Sequence, residues 1–130
     1  MALSNFGGGR YQIDVDAATQ SQDTNGNSSV IYARIIVRRI SGSGYMTNDP
    51  QGWSFYVNGT HIASGSWTYN FSNYSTADHW IWQGTWTHWH NADGTATPQN
   101  FTGSATMDSG LGTGSAGGTI TPATIPRASN

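Results

Sequence analysis

Apolar and polar residues alternate from Tyr11 onward. Tyr11, Ile13, Val15 and Ala17 fall on one side and Gln12, Asp14 and Asp16 on the other, until the pattern stops at Ala18. A period of two predicts a half-buried strand. After the loop Asp23-Thr-Asn-Gly-Asn27 the alternation resumes over Ser28 to Ile40, with Ile31, Ala33, Ile35 and Val37 on one side and Arg34 and Arg38 on the other. Ile36 and Ile40 share the arginine side, so part of that side should be covered. A strict two-residue turn at Asn25-Gly26 would send the two apolar sets to opposite faces, so an odd-length loop or a bulge is expected. The outer face then sets Asp14 and Asp16 among Arg34 and Arg38, as cross-strand ion pairs worth at most about 1 kcal/mol each.

Residues 41 to 51 read as a loop, and a hairpin follows. Its strands are Gly52 to Val57 and Thr60 to Trp67 around Asn58-Gly59, the strongest short turn signal in the chain. A two-residue turn there places Trp53, Phe55, Val57 and Ile62 on the core face and Tyr56, His61 and Trp67 on the other. Asn70 to Asp78 is a polar loop containing Phe71 and Tyr74. Trp80 to His90 is then paired, on this reading, with Thr97 to Met107 across a turn at Asp93-Gly94. That register sets Trp86 against Phe101, Trp82 against Ala105, Trp80 against Met107 and Gly84 against Gly103, an apolar face with a gap at the glycines. Ser109 to Gly118 reads as a loop and Gly118 to Ile125 as a last strand, at an edge because of Pro122. Residues 1–9 read as a flexible arm, 10–125 as one domain and 126–130 as a tail or linker.

Composition narrows the class. The chain has 130 residues, enough for a single core. Only 9% of them are charged, every acid is Asp and every base Arg, and Gly, Ser, Thr, Asn, Trp and Tyr stand in place of good helix formers. Seven or so short strands with near-regular turns predict an all-β fold, an antiparallel β-sandwich of Ig-like or jelly-roll order. A net charge of -2 with scattered arginines supplies no basic stripe, which argues against nucleic acid as a partner. No Cys is present, which excludes disulfides, thiolate nucleophiles and Cys-ligated zinc. No membrane-spanning segment is read, and the opening Met-Ala-Leu-Ser-Asn-Phe lacks the apolar stretch of a secretory signal.

The tryptophans invite a sugar-platform reading, because a flat indole stacks on a pyranose at little entropic cost. The register above sends Trp53, Trp80, Trp82 and Trp86 to the core, where a small sandwich needs their area. The remaining interface candidates are Trp89, Trp67, Tyr56, Tyr74, His61 and His79. A patch of exposed rings marks an interface, and these residues alone do not separate a glycan from a protein subunit. His88 and His90 share a face at a spacing that suits a metal, but no third ligand is fixed beside them except Asp93, so a polar strand end is the preferred reading. Asp23-Thr-Asn25-Gly-Asn27 lacks the closing acid of a calcium loop and reads as a turn. Gly112-Thr-Gly114-Ser-Ala-Gly117 matches a dinucleotide fingerprint in letters alone, with no helix after it. Asp14 and Asp16, the only closely paired acids, point outward beside arginines rather than into a pocket, so an enzyme is not expected and no cofactor is implied.

The close of the chain, Thr124-Ile125-Pro126-Arg127-Ala128-Ser129, resembles the Thr-Ile-Pro-Arg-Ala-Ser stretch that follows β-sandwich modules in structural proteins of tailed bacteriophages, especially siphophage minor tail proteins. The specific motif spans those residues, and the strand pattern extends the likeness over most of the chain. In that family the motif leads into a further domain, which leaves open a small virion protein such as a capsid decoration or the first module of a longer tail protein. The resemblance implies a non-enzymatic structural part of a virion, made in the host cytoplasm and docked on other virion proteins, with host-surface adhesion as a common role. It carries over no catalytic residue. Symmetric homo-oligomeric copies, docking by strand addition, and a cell-surface carbohydrate as a second partner are the corresponding expectations. The alternative is a free-standing carbohydrate-binding module.

Overall fold

A computed structural model describes residues 2–42, 45–71, 78–108 and 110–126. Eight strands make up the fold: β1 (Ala2–Phe6), β2 (Tyr11–Asp23), β3 (Ser28–Arg39), β4 (Met46–Val57), β5 (Thr60–Asn70), β6 (Asp78–Trp89), β7 (Gln99–Met107) and β8 (Gly112–Ile120). They form two four-stranded antiparallel sheets, in the orders β1-β2-β3-β6 (sheet A) and β5-β4-β7-β8 (sheet B). The sheets pack face to face as a β-sandwich. The chain crosses between them after β3, β5 and β6, and the resulting order is not the immunoglobulin one.

The expected hairpins form where local turn chemistry is strong. Asn58 and Gly59 take positive φ values of 52° and 79°, the left-handed pair that a tight hairpin turn requires. β2 and β3 pair with a one-residue bulge at Gln20, between Thr19 opposite Ile31 and Ser21 opposite Val30. That bulge brings Ile13 and Val15 to the same face as Val37 and Ile35, as the alternation demands.

Several expectations are corrected. Ala2–Phe6 is not a free arm, because it pairs with β2 through Leu3 opposite Asp14 and Phe6 opposite Tyr11. The three glycines after it, all at positive φ, make the turn. β4 begins at Met46, inside the stretch read as a loop. β6 and β7 are not a hairpin. The Asp93-Gly94 turn exists, but Pro98 has no N–H to give a returning ladder, and the flanks part to different sheets. β6 pairs with β3, placing Trp86 beside Ile31 and Trp82 beside Ile35. β7 pairs instead with β4 and β8. The last strand is the Gly/Ser/Thr run of β8, and residues 121–126 follow it without strand structure.

The glycines that alternation matched across one sheet therefore lie in different sheets. A Cβ on Gly103 would meet Val15 and Ile35 of the opposite sheet at 2.9 and 3.0 Å, so its absence lets the layers close. At Gly84 the space is taken by the indole of Trp82 from the same strand.

Tyr11, Ile13, Val15, Ala33, Ile35 and Val37 from sheet A meet Phe55, Val57, Phe101, Ala105 and Met107 from sheet B in one core. Trp53, Trp82 and Trp86 are half-buried against it. Ile125, in the segment after β8, is buried and donates its N–H to the Gly94 carbonyl at 2.9 Å, which ties that segment to the loop after β6. Arg127, Ala128 and Ser129 of the phage-like motif lie outside the described residues.

Candidate functional site

One-residue bulges decide which rings face solvent. In the β4/β5 hairpin Tyr56 opposes His61 but Phe55 opposes Ala63, so Ile62 is the extra residue. Beyond it every side chain of β5 changes face. Trp67 is thereby turned inward. It is 6% exposed and its indole Nε1–H donates to the Thr106 carbonyl at 3.1 Å, which corrects its expected place on an outer patch. In β6 the extra residue is Ile81, between Trp82 opposite Ile35 and Trp80 opposite Ile36. Trp80, which strict alternation sends to the core, is 51% exposed on the outer face of sheet A.

That outer face is built around a buried carboxylate. Asp14 is 0% exposed although its side chain faces away from the sandwich core. Leu3 of β1 and Ile36 of β3 flank it in the register, and Arg38 and Arg34 reach its Oδ2 at 3.1 and 3.7 Å. Arg38 also donates to Asp78 Oδ1 at 2.7 Å and to Gln12 Oε1 at 2.8 Å. The hydrogen bond to Asp78 heads the causes that raise the Arg38 pKa further. Arg34 pairs with Asp16 at 3.7 Å and lays its guanidinium over the Trp80 ring, 5.4 Å from the centroid. Trp89 stands at the far end of β6 on the same outer face and is 68% exposed, as expected.

The outer face of sheet B has a different chemistry. Tyr56 and His61 sit there as an edge-to-face pair with centroids 5.4 Å apart. Around them run hydroxyls and amides: Ser54 bonds Ser104 at 2.9 Å, Thr106 bonds Thr113 at 2.9 Å, and Thr119 donates to Asn100 at 2.6 Å. The only charged residue in the four strands of this sheet is Asp49.

Not all of the expected site residues come together. Tyr56 and His61 are neighbours on sheet B, and Trp89 is on sheet A. His79 is half-buried between Trp67 and Phe71, at centroid distances of 5.1 and 6.3 Å, and burial lowers its pKa. Tyr74 lies outside the described residues. Trp80 is the exposed ring that alternation misses, and no residue type in the sequence marks the bulge responsible.

The two histidines at the end of β6 differ in their bonding: among the described residues the buried Nε2 of His88 has no hydrogen-bond partner, whereas both ring nitrogens of His90 are bonded. His90 is buried, with Nδ1 2.7 Å from the Gly94 carbonyl and Nε2 2.6 Å from Ser29 Oγ. A carbonyl only accepts, so Nδ1 carries the proton, and in the neutral ring Nε2 accepts from the buried Ser29 hydroxyl. His88 lies 5.5 Å from His90, ring to ring, and its pKa is lowered by burial and by that neighbour. Among the described residues no cluster of three His, Cys, Asp or Glu side chains could hold a metal. Asp23 Oδ1 accepts the Gly26 N–H at 3.0 Å, as a turn aspartate does. Gly112, Gly114 and Gly117 lie on the β8 edge strand. No helix among the described residues is long and apolar enough to cross a membrane.

Two concavities mark the edges. A cleft of about 650 Å³ opens between the β1/β2 side and β8, lined by Leu3, Asp16, Ala17, Phe101, Ala116 and Ile120 among others. A shallower one of about 410 Å³ lies at the β6 bulge. Compared with family models, curated proteins and solved structures, the chain matches none.

Proposed function

We propose that this chain is a non-enzymatic structural component of a tailed-phage virion, a minor tail or capsid-surface decoration module, that acts by surface contact and contributes to attachment at host-surface glycans. The observation that carries this reading is the outer face of sheet B. It is a sheet of four strands, dressed with hydroxyls and nearly free of charge. Such a face packs against a neighbouring copy or another virion protein without desolvating ions. The resemblance of residues 124–129 to the phage stretch supports the same assignment.

Gold-labelled antibody against the domain tests it. Virions purified from the genome that encodes the chain are expected to carry label at a symmetric set of positions on tail or capsid. Unlabelled virions, with the protein recovered free in the lysate, would reject it.

A free-standing carbohydrate-binding module is the second reading, favoured by the exposed indole of Trp80 and by the Tyr56–His61 pair among hydroxyls. It predicts glycan-array binding by the isolated domain and no label on virions.

A further inference from the structure

In a regular strand Trp80 and Trp82 would point the same way. The extra residue Ile81 sends Trp80 to the outer face and Trp82 toward the core, so the surface between them wraps around the free edge of β6 as a shallow notch. Trp80, Ile81, Trp82 and Gln83 line it. We infer that this notch is a saccharide subsite that takes one neutral pyranose ring against the indoles of Trp80 and Trp82, with the Gln83 amide bonding a ring hydroxyl. The inference extends the glycan-attachment part of the function proposed above.

Both aromatic walls are held from behind. Trp82 stacks on Trp53 at a centroid distance of 5.7 Å and an interplanar angle of 28°, and Phe55 meets it at 4.9 Å. Trp80 is steadied by the Arg34 guanidinium, itself tied to Asp14 and Asp16. Walls already in place lose little side-chain freedom when a ligand arrives, which matters for a ligand that offers few contacts. The polar group is oriented too. Gln83 Oε1 accepts the Tyr32 hydroxyl at 2.7 Å, which leaves the amide N–H groups to donate outward.

Two flat apolar walls with one uncharged donor suit a molecule having a C–H face and a rim of hydroxyls. None of the four lining side chains carries a charge, and the Arg34 guanidinium against Trp80 is already paired with Asp14 and Asp16, which favours a neutral hexose or N-acetylhexosamine over a uronic or sialic acid. A proline or aliphatic ring would fill the walls but leave the Gln83 donor without an acceptor.

Titration of the full chain with cellotetraose and chitotetraose, followed by tryptophan fluorescence and calorimetry, tests the subsite. At least one of the two is expected to bind, with a Kd on the order of 1 mM. Trp80→Ala should weaken that binding about tenfold or more, and Trp80→Tyr, which keeps a ring under Arg34, should recover part of it. Gln83→Ala should weaken it about threefold. Trp89→Ala, about 30 Å away along the strand, should leave it unchanged. Thermal melts of each variant check that the fold persists. No binding of either sugar at about ten times that concentration overturns the subsite, as does equal affinity in a folded Trp80→Ala, or binding of a proline-rich peptide in place of sugar. The gold-labelling result is independent of all of these, so a virion part without a sugar site would fail here and still decorate its particle.

Discussion

The two outward faces of this sandwich solve the same problem by different chemistry. Sheet A turns outward a carboxylate that no water reaches, covered by Arg34, Arg38 and their neighbours, whereas sheet B turns outward rows of serine and threonine that bond one another at the surface. The difference shows that facing away from the core is not the same as facing water. Long arginine stems and an indole can build a thin second covered layer on a sheet's back. A buried charge there depends on its partners, while a surface hydroxyl can always fall back on solvent.

If both inner faces carry most of the stability, Trp67→Ala should cost about 3–5 kcal/mol in urea unfolding, the cost of deleting a buried indole. A loss near zero would mean that Trp67 faces solvent and that β5 carries no extra residue at Ile62. Arg38→Ala tests the back of sheet A. It strips a partner from a wholly buried Asp14, and about 3 kcal/mol should be lost, with Arg34 as the remaining ion-pair partner.

A smaller effect is expected where the sheets meet at β5 and β6. Burial holds the His79 pKa below its ordinary value of 6.5, so the unfolded chain takes up the proton first as the pH falls. Stability contributed by the neutral ring is complete above 6.5 and is lost as the pH drops from there through the folded-state value. Melting midpoints should therefore fall between about pH 8 and about pH 5, with a shallower slope in His79→Phe, and an unchanged slope would place the effect elsewhere. On the back of sheet B the change should be least. Removing Ser54 and Ser104 together with alanine should shift stability by less than about 1 kcal/mol, because both partners of one exposed-face hydrogen bond leave at once. A larger loss would mean that the hydroxyl rows hold the sheet as the arginines hold the other.

Much of this is legible in the residues themselves. The two-residue period of β2 and β3, the Asn58-Gly59 turn, the need for an irregularity between Ala17 and Ile31, and the mixed company of Asp14, Asp16, Arg34 and Arg38 all follow from local order. Trp89 and the Tyr56–His61 pair are legible as exposed rings for the same reason. β8 is not legible as a strand, since a run of glycine, serine and threonine has the composition of a loop and becomes a strand only against β7. The partner of β6 is not legible either, because an apparent turn at Asp93-Gly94 serves a crossing between sheets as well as a hairpin.

The sequence by itself determined that the chain would be all-β, that alternate residues would line one core, and that charge would gather on the β2/β3 side. Only the tertiary structure decided where each strand takes up its extra residue. A period of two has no tolerance: one additional residue at Ile62 or Ile81 exchanges inside for outside along the rest of the strand. The position of that residue is set by how the rings pack across the sandwich, a long-range condition that no local pattern encodes.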